Sequence, residues 1–367
     1  MIKVSVIIPV YNSGDSIKVT LDSIINQNNP QCDIEIIAVN NASTDDSLSI
    51  LEEYSKWHSN MLVLNLTEAS VCKARNAGIL KAKGDYITFV DAGDYVSNML
   101  YYEVSNMIDK FNPDIIHYGW SYVTNDQIMP PKTYSHAKNI LLDREYIKSR
   151  VLPQMLNLQE RNEDFIDDFV VNKFYKASII SDFDIKFDVN RRKWEDRPFV
   201  VEFLRYADNI CFLDGPLYYY VRSEGSLSSK FDNTIFETIV CNYKLYTSWF
   251  ADEYNFESNY SNNYWFNSIY NQMLELIKYT RDGKTDKDEC IDVLGKICDD
   301  KQIVKWFDMH TGQDEYESRI KELVLNKDAK KIYETLIAAY DNKMKLIEDN
   351  NKKANSPIRR ILRRIRG

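Results

Sequence analysis

The sequence predicts an α/β protein: a mostly parallel sheet with helices on both faces, followed by a helical C-terminal region. Three observations predict it. From Met1 to about Trp120, short β-rich apolar runs alternate with amphipathic stretches, the pattern of successive βαβ units. Polar residues gather where those runs end. From Asp232 to about Asn350 the apolar spacing is helical throughout.

The predicted strands cover 4–10, 34–39, 61–64, 86–90 and 115–118. A first helix carries Ile17, Leu21, Ile24 and Ile25 on one stripe, with Asn12 and Ser13 read as its caps. A second runs from Asp45 to about Trp57 after Ser43 and Thr44. Pro9, Tyr11 and Asn12 follow the first strand, Asn40 and Asn41 the second, Asp91 and Asp94 the fourth. In open α/β sheets that carboxyl edge is where helix N-termini and loop amides converge on a ligand. The same residue types also build ordinary turns. The segment from 121 to 229 mixes helix and strand and is rich in Asp, Arg and aromatics. Beyond it, Ile235, Ile239, Tyr243, Tyr246 and Phe250 form one helical stripe, and Leu323, Ile332, Leu336 and Tyr340 form later ones, all read as core packing.

Size and composition narrow the class. A chain of 367 residues exceeds one usual core, so two domains are expected. With 44% apolar residues, 11 Gly and 9 Pro, collagen-like and largely disordered readings are excluded. A net charge of −9 would repel a phosphate backbone, so no nucleic acid is expected as a partner. Six cysteines lie far apart without CxxC or metal-ligand spacing and are read as reduced, buried thiols. No apolar run approaches the ~20 residues of a membrane span, and the N-terminus enters strand-like sequence with no signal peptide. A soluble or membrane-surface protein is expected.

Four motifs lie at the predicted strand ends and helix starts: VSVIIPVYN (4–12), STDDS (43–47), KARNAG (73–78) and FVDAGD (89–94). Three more follow in order: VNKFYKASII (171–180), KWEDRPF (193–199) and PLYYYVRSEGSLS (216–228). In sequence, order and spacing this set resembles the family 2 glycosyltransferases of the GT-A fold, over about residues 1–229. The resemblance implies an inverting transfer of a sugar from a nucleotide diphosphate sugar, most simply a UDP-sugar, to a hydroxyl of a saccharide or lipid-linked acceptor. It also implies bacterial surface glycan synthesis. A diphosphate leaving group gathers negative charge, so Mg2+ or Mn2+ is the expected cofactor, and the acceptor hydroxyl needs a base.

By resemblance, Pro9 and Tyr11 form the wall for the nucleotide base and Asn40 meets its edge. In most relatives an acid stands at the position of Asn40, which would instead accept and donate through its amide. Arg75 is expected near the nucleotide or diphosphate, and Arg222 with Ser226 on its far side. Asp91 is placed on the ribose or metal side and Asp94 beside the metal, with Gly93 where the strict DxD motif has its second acid. Two Glu-Asp pairs compete for the base, Glu163-Asp164 and Glu195-Asp196. Motif order selects Asp196 as base, Glu195 as its orienting or acceptor-binding neighbour, and Trp194 as an apolar platform for an acceptor sugar.

The expected organisation is a catalytic domain over 1–230, with a nucleotide-sugar half to about 120 and an acceptor half beyond it. A helical region over 231–350 and a basic amphipathic tail over 351–367 follow. In the tail, Ile358, Ile361, Leu362 and Ile365 share a stripe opposite Arg359, Arg360, Arg363, Arg364 and Arg366. Such a segment is drawn to an anionic membrane surface, so a cytoplasmic protein peripheral to the inner face of the plasma membrane is expected. Two other classes share parts of this pattern. A nucleotidyltransferase would bring a Gly- and Lys-rich phosphate loop near Val10, where none stands. A catalytically silent sugar-binding scaffold would keep the fold, and Gly93 is the feature that speaks for it.

Overall fold

The computed structural model describes residues 1–133, 139–161, 166–191, 193–222, 232–311 and 315–354, with side chains described to 345 except at 343. The chain divides into two units, Met1–Leu227 and Ser228–Gly367. The first opens with β1 (Lys3–Val10), α1 (Ser16–Ile25), β2 (Asp33–Asn41), α2 (Ser47–Trp57), β3 (Met61–Leu66), α3 (Val71–Lys81) and β4 (Tyr86–Phe89). It continues through β5 (Tyr95–Val96), α4 (Leu100–Phe111), β6 (Ile115–Thr124), β7 (Gln127–Ile128) and β8 (Leu141–Asp143). After α5 (Arg144–Tyr146), a π turn (Ile147–Val151) and α6 (Leu152–Met155) come β9 (Lys173–Lys176), α7 (Ala177–Asp182), α8 (Asp196–Tyr206) and β10 (Asn209–Val221).

Ten strands form one sheet in the order β3-β2-β1-β4-β9-β6-β10-β5, with β7 beside β6 and β8 beside β10. The first four are mutually parallel, as are β6 and β10. Between these blocks β9 runs antiparallel to both neighbours. The mostly parallel α/β fold read from the sequence is the one found. Residues 4–10 of β1 are buried without interruption, as expected of a strand covered on both faces.

The loops at the carboxyl edge are laced to one another. Asn12 adopts a left-handed conformation (φ 48). Its Oδ1 accepts from Thr44 N at 2.8 Å, and its own N–H donates to Ser43 Oγ at 3.0 Å. Gly14 N donates to Asp45 Oδ2 at 2.9 Å. Asn12 and Ser13 are therefore not the caps expected: α1 begins only at Ser16, and Asn12 spends its side chain on the loop after β2.

Helix α3 lies close on β1, and Gly78 is the reason. A Cβ at that position would drive into Cγ2 of Ile7, which is wholly buried. This approach sets the depth from which Arg75, one turn earlier, projects its side chain.

The second unit is helical: α9 (Ile235–Phe250), α10 (Asn259–Arg281), α11 (Lys287–Asp299), α12 (Lys301–Met309), α13 (Glu315–Leu325) and α14 (Ala329–Ala354). The α9 stripe is buried as expected, and Trp265 stacks on Trp306 at 5.6 Å with Tyr243 edge-on to both. All six cysteines are free thiols. Five are buried, but Cys241 is exposed because it stands on α9 about 200° around the helix from Ile239.

Gly78→Ala is expected to destabilise the first unit by about 1–3 kcal/mol, the usual cost of overpacking. Gly295→Ala in α11 meets only Ala329 Cβ at 4.0 Å and should stabilise by up to ~1 kcal/mol. Urea unfolding of the two variants checks the contrast.

Candidate active site

Helix α3 starts at Ser70, whose side chain caps Lys73 N and whose own N–H donates to Asn41 Oδ1 at 2.7 Å. One turn in, the Arg75 side chain is only 4% exposed. Its Nη1 donates to Glu195 Oε1 at 3.1 Å and Asp196 Oδ1 at 2.5 Å, and its Nη2 donates to Asp91 Oδ1 at 3.1 Å. Underneath lies the Phe187 ring, 5.2 Å from the guanidinium carbon and stacked at 4.2 Å on Phe199. Asn76 fixes that floor by exchanging two hydrogen bonds with the Phe187 backbone, at 2.8 and 2.9 Å. The triplet Ala-Arg-Asn thus grips two chain segments more than 100 residues away, one by charge and one by backbone pairing.

Asp196 opens α8, and its second oxygen accepts from Val170 N at 3.0 Å. Burial holds the carboxyls of both Glu195 and Asp196 above the usual range. The neighbouring acids add to this, and Arg75 pulls the other way. Burial also opposes the charge of Arg75, yet the three carboxylates hold its value above that of an ordinary arginine. Among the described residues the three carboxylates share Arg75 as their ion-pair partner, so a donor diphosphate would bring more negative charge to an already acidic cluster.

The turn after β4 is shaped by Gly93, at φ +100. A side chain there would be strained, which accounts physically for the missing second acid. Gly93 N donates to Thr20 Oγ1 at 2.9 Å, and Thr20 returns a bond to Asp94 O at 2.6 Å. The Asp94 carboxylate points inward. Tyr218 O–H donates to its Oδ2 at 2.6 Å and Val221 N to its Oδ1 at 2.8 Å. Burial first, then the charge of Asp91, push Asp94 up to about 7.

Several expected placements differ. Arg75 does not stand open to a diphosphate; it lies beneath the carboxylates, because its buried charge demands partners. Asp94 is not open for a metal either, since both oxygens brace the turn against β10. Asn40 is buried, donating to Asn65 Oδ1 at 2.8 Å and accepting from Ser43 N at 3.3 Å, so it ties β2 to β3 rather than facing a base. Exposed Arg222 stacks 3.8 Å over the Tyr122 ring. Pro9 is buried in β1 and offers no open face to a base, while Tyr11 is 44% exposed just beyond it. Trp194 is 43% exposed, next to Glu195, in a left-handed conformation (φ 58) that is strained for an aromatic residue. Ser226, Glu163, Asp164 and the tail from 355 lie outside the described residues. Tyr218, Asn76 and Phe187 were given no role from the sequence; Asn76 and Tyr218 lie within the quoted motifs KARNAG and PLYYYVRSEGSLS, and Phe187 carries no such signal.

Among the described residues, no group of three or more His, Cys, Asp and Glu side chains could hold a metal alone. Asp91 does fit a shared site: its side chain is 39% exposed, and only Oδ1 is engaged by Arg75. Hard cations of the Mg2+ type bind through one or two carboxylates together with substrate phosphates.

Comparison with known proteins gives a family and a fold for these elements. The family described as "Glycosyl transferase family 2" matches residues 5–183, which include β1, α3, the Asp91 turn and β9. Over residues 5–183 the chain is similar to glycosyltransferase family 2. It is 30% identical over 227 residues to the uncharacterized glycosyltransferase EpsJ of Bacillus subtilis, covering 61% of this chain and 62% of that protein. It is 33% identical over 233 residues to the poly(ribitol-phosphate) beta-glucosyltransferase of Bacillus spizizenii, covering 61% of this chain and 33% of that protein. These matches span under two thirds of the relatives' length. In fold it is similar to S. aureus TarS 1-349, solved in complex with UDP-GlcNAc, with a TM-score of 0.62 and 20% identity over 93% of this chain and 92% of that one.

Asp94 gives a signed test. Its carboxyl rises from 3.8 to about 7 on folding, so the stability it contributes is present below pH 3.8 and lost as pH rises through about 7. Asp94→Asn keeps an acceptor for Val221 N and removes the charge, while its Nδ2 makes the Tyr218 hydroxyl the acceptor instead of the donor. With a chelator present, the variant should gain stability over wild type between pH 5 and pH 8. A relative loss over that range in thermal unfolding contradicts the bracing role.

Proposed function

We propose that the protein transfers a sugar, with inversion, from a UDP-sugar to a hydroxyl of a saccharide or lipid-linked acceptor in the synthesis of a bacterial surface glycan. The observation that carries this is the Arg75 bridge, which sets the acid expected on the donor side, Asp91, against the Glu195-Asp196 pair expected to act on the acceptor. The match to the family over residues 5–183 and the likeness to a TarS solved with UDP-GlcNAc support a nucleotide-sugar donor.

In this reading the uracil lies against Tyr11, and the diphosphate comes to the edge formed by Asp91. Asp196 is the base. Its two engaged oxygens fix its orientation, each retains a further lone pair, and the side chain is 23% exposed to the acceptor. The acceptor hydroxyl gives its proton to Asp196 as its oxygen bonds to the sugar C1, and the bond from C1 to the diphosphate oxygen breaks with UDP leaving on the opposite face. Glu195 keeps Oε2 without a described partner and is placed to orient the acceptor, with Trp194 as its apolar neighbour. Asp91 would hold Mg2+ or Mn2+ jointly with the diphosphate, and the cation would offset leaving-group charge. Because Asp94 is needed as a brace and Gly93 by its backbone, the DAGD sequence is compatible with an active enzyme rather than a silent scaffold.

No described helix is long and apolar enough to cross a membrane. From Lys343 onward the sequence has nine Lys or Arg against two acids, so we place its basic stripe on anionic lipid, each basic residue near the surface contributing about 1 kcal/mol.

These assignments give three expected outcomes. Asp196→Asn should lower turnover by roughly 10²-fold or more with UDP binding nearly unchanged, and Asp91→Asn should abolish the cation dependence of UDP binding. UDP release from UDP-sugars checks the turnover and calorimetric titration with UDP, with and without EDTA, checks the binding; wild-type turnover by Asp196→Asn would remove Asp196 as base, and EDTA-sensitive UDP binding in Asp91→Asn would remove Asp91 as cation ligand. Ending the chain at Asn355 should abolish sedimentation with anionic liposomes while full-length binding weakens in high salt. Equal sedimentation of the two forms would refute the membrane role.

A further inference from the structure

We propose that the aromatic face shared by β6 and β10 is the acceptor subsite and that it takes a hexopyranose ring rather than an extended alditol phosphate. The inference rests on the transferase reading above and names the substrate class of that same site. Trp120 and Tyr122 alternate along β6, and the register sets Tyr218 of β10 opposite Trp120 and Tyr220 opposite Tyr122. Paired residues of a ladder share a face, so four aromatic side chains form one block. Phe169 closes it, with ring centroids 5.9 Å from Trp120 and 6.4 Å from Tyr220, and it remains 38% exposed.

The block lies between the two ends of the proposed reaction. On one side, the Tyr218 hydroxyl donates to Asp94 and accepts from Asp91 N at 3.2 Å. On the other, the residue after Phe169 is Val170, whose N–H holds Asp196. A ring stacked on Phe169 would therefore present its hydroxyls beside the base.

The rings are also held in place from below. Trp120 Nε1 donates to Asp167 Oδ2 at 2.8 Å, and Lys132 Nζ donates to Asp167 Oδ1 at 2.5 Å. Buried Lys173 donates to the Phe169 carbonyl at 2.6 Å. A buried ionic hub is costly unless each member is satisfied, and this one orients two rings of the platform.

Aromatic faces carry negative charge density, and the C–H face of a pyranose meets it while burying apolar area. A flexible polyol phosphate presents no such face. Arg222, stacked on Tyr122, occupies the end of the block toward the C-terminus of β10 and leaves Phe169 and Trp120 as the sugar-contacting pair.

The test uses the full chain with UDP present. Saturation-transfer NMR would follow a panel of di- and trisaccharides of glucose, galactose and their N-acetylamino forms in α and β linkage, beside oligo(ribitol phosphate). Pyranose C–H protons of at least one saccharide should receive saturation from the wild type. Phe169→Ala should weaken that binding at least tenfold and Phe169→Tyr restore it. Trp120→Phe, which keeps a ring but loses the bond to Asp167, should weaken it less than Phe169→Ala. Binding unchanged in Phe169→Ala, no signal from any pyranoside, or binding of oligo(ribitol phosphate) alone would overturn the proposal. UDP release from UDP-sugars by the wild type is scored separately: pyranoside binding lost in Phe169→Ala without any UDP release upholds the subsite and rejects the transferase reading.

Discussion

The rest of the first unit is arranged around one buried guanidinium. Among the described residues, Arg75 is the cation paired with Asp91, Glu195 and Asp196, and removing it would leave three partly buried carboxylates facing one another. A charge at that depth is tolerable only when paired and hydrogen-bonded, so its neighbours are built to keep it so. Gly78 lets α3 close on Ile7, Asn76 clamps the Phe187 backbone, and Phe187 floors the cation. The turn after β4 and the start of α8, distant in sequence, meet at this point.

That arrangement separates the tasks of the acids. Asp91 keeps one oxygen open at the edge, whereas Asp94, three residues on, is buried under Tyr218 and Val221 and held toward neutrality. Glu195 and Asp196 share Arg75 but differ in their second oxygens, since only Asp196 is fastened to Val170 N. A fixed carboxylate beside a less constrained one suits a base with an orienting neighbour, and the anionic surplus suits a cation brought with the donor phosphates.

Much of this was legible in the sequence because buried parallel strands write themselves as unbroken apolar runs, as in β1, and because the α9 stripe has helical spacing. The antiparallel insertion of β9 was not legible: the four residues KFYK carry no signal of strand direction, and their neighbours are set by tertiary pairing. Arg75 was recognisable as a residue of interest, but not its orientation, because its partners come from 16 to 121 residues away. Asn40 and Asp94 carry the right chemistry for ligand contact, yet each found internal partners first. Cys241 was read as buried from composition, where helical phase decides.

The central claim is that Arg75 holds Asp196 in its working position, so the two residues should act as one unit. A double-mutant cycle on kcat/KM, with Arg75→Lys, Asp196→Asn and the pair, measures this directly. Lysine keeps the charge but not the fork that reaches both Asp91 and the Glu195-Asp196 pair. The account predicts strong non-additivity: in the Arg75→Lys background, Asp196→Asn should cost less than about a tenth of the factor it costs in wild type. Additive losses, with the full Asp196→Asn penalty retained when the fork is gone, would contradict it.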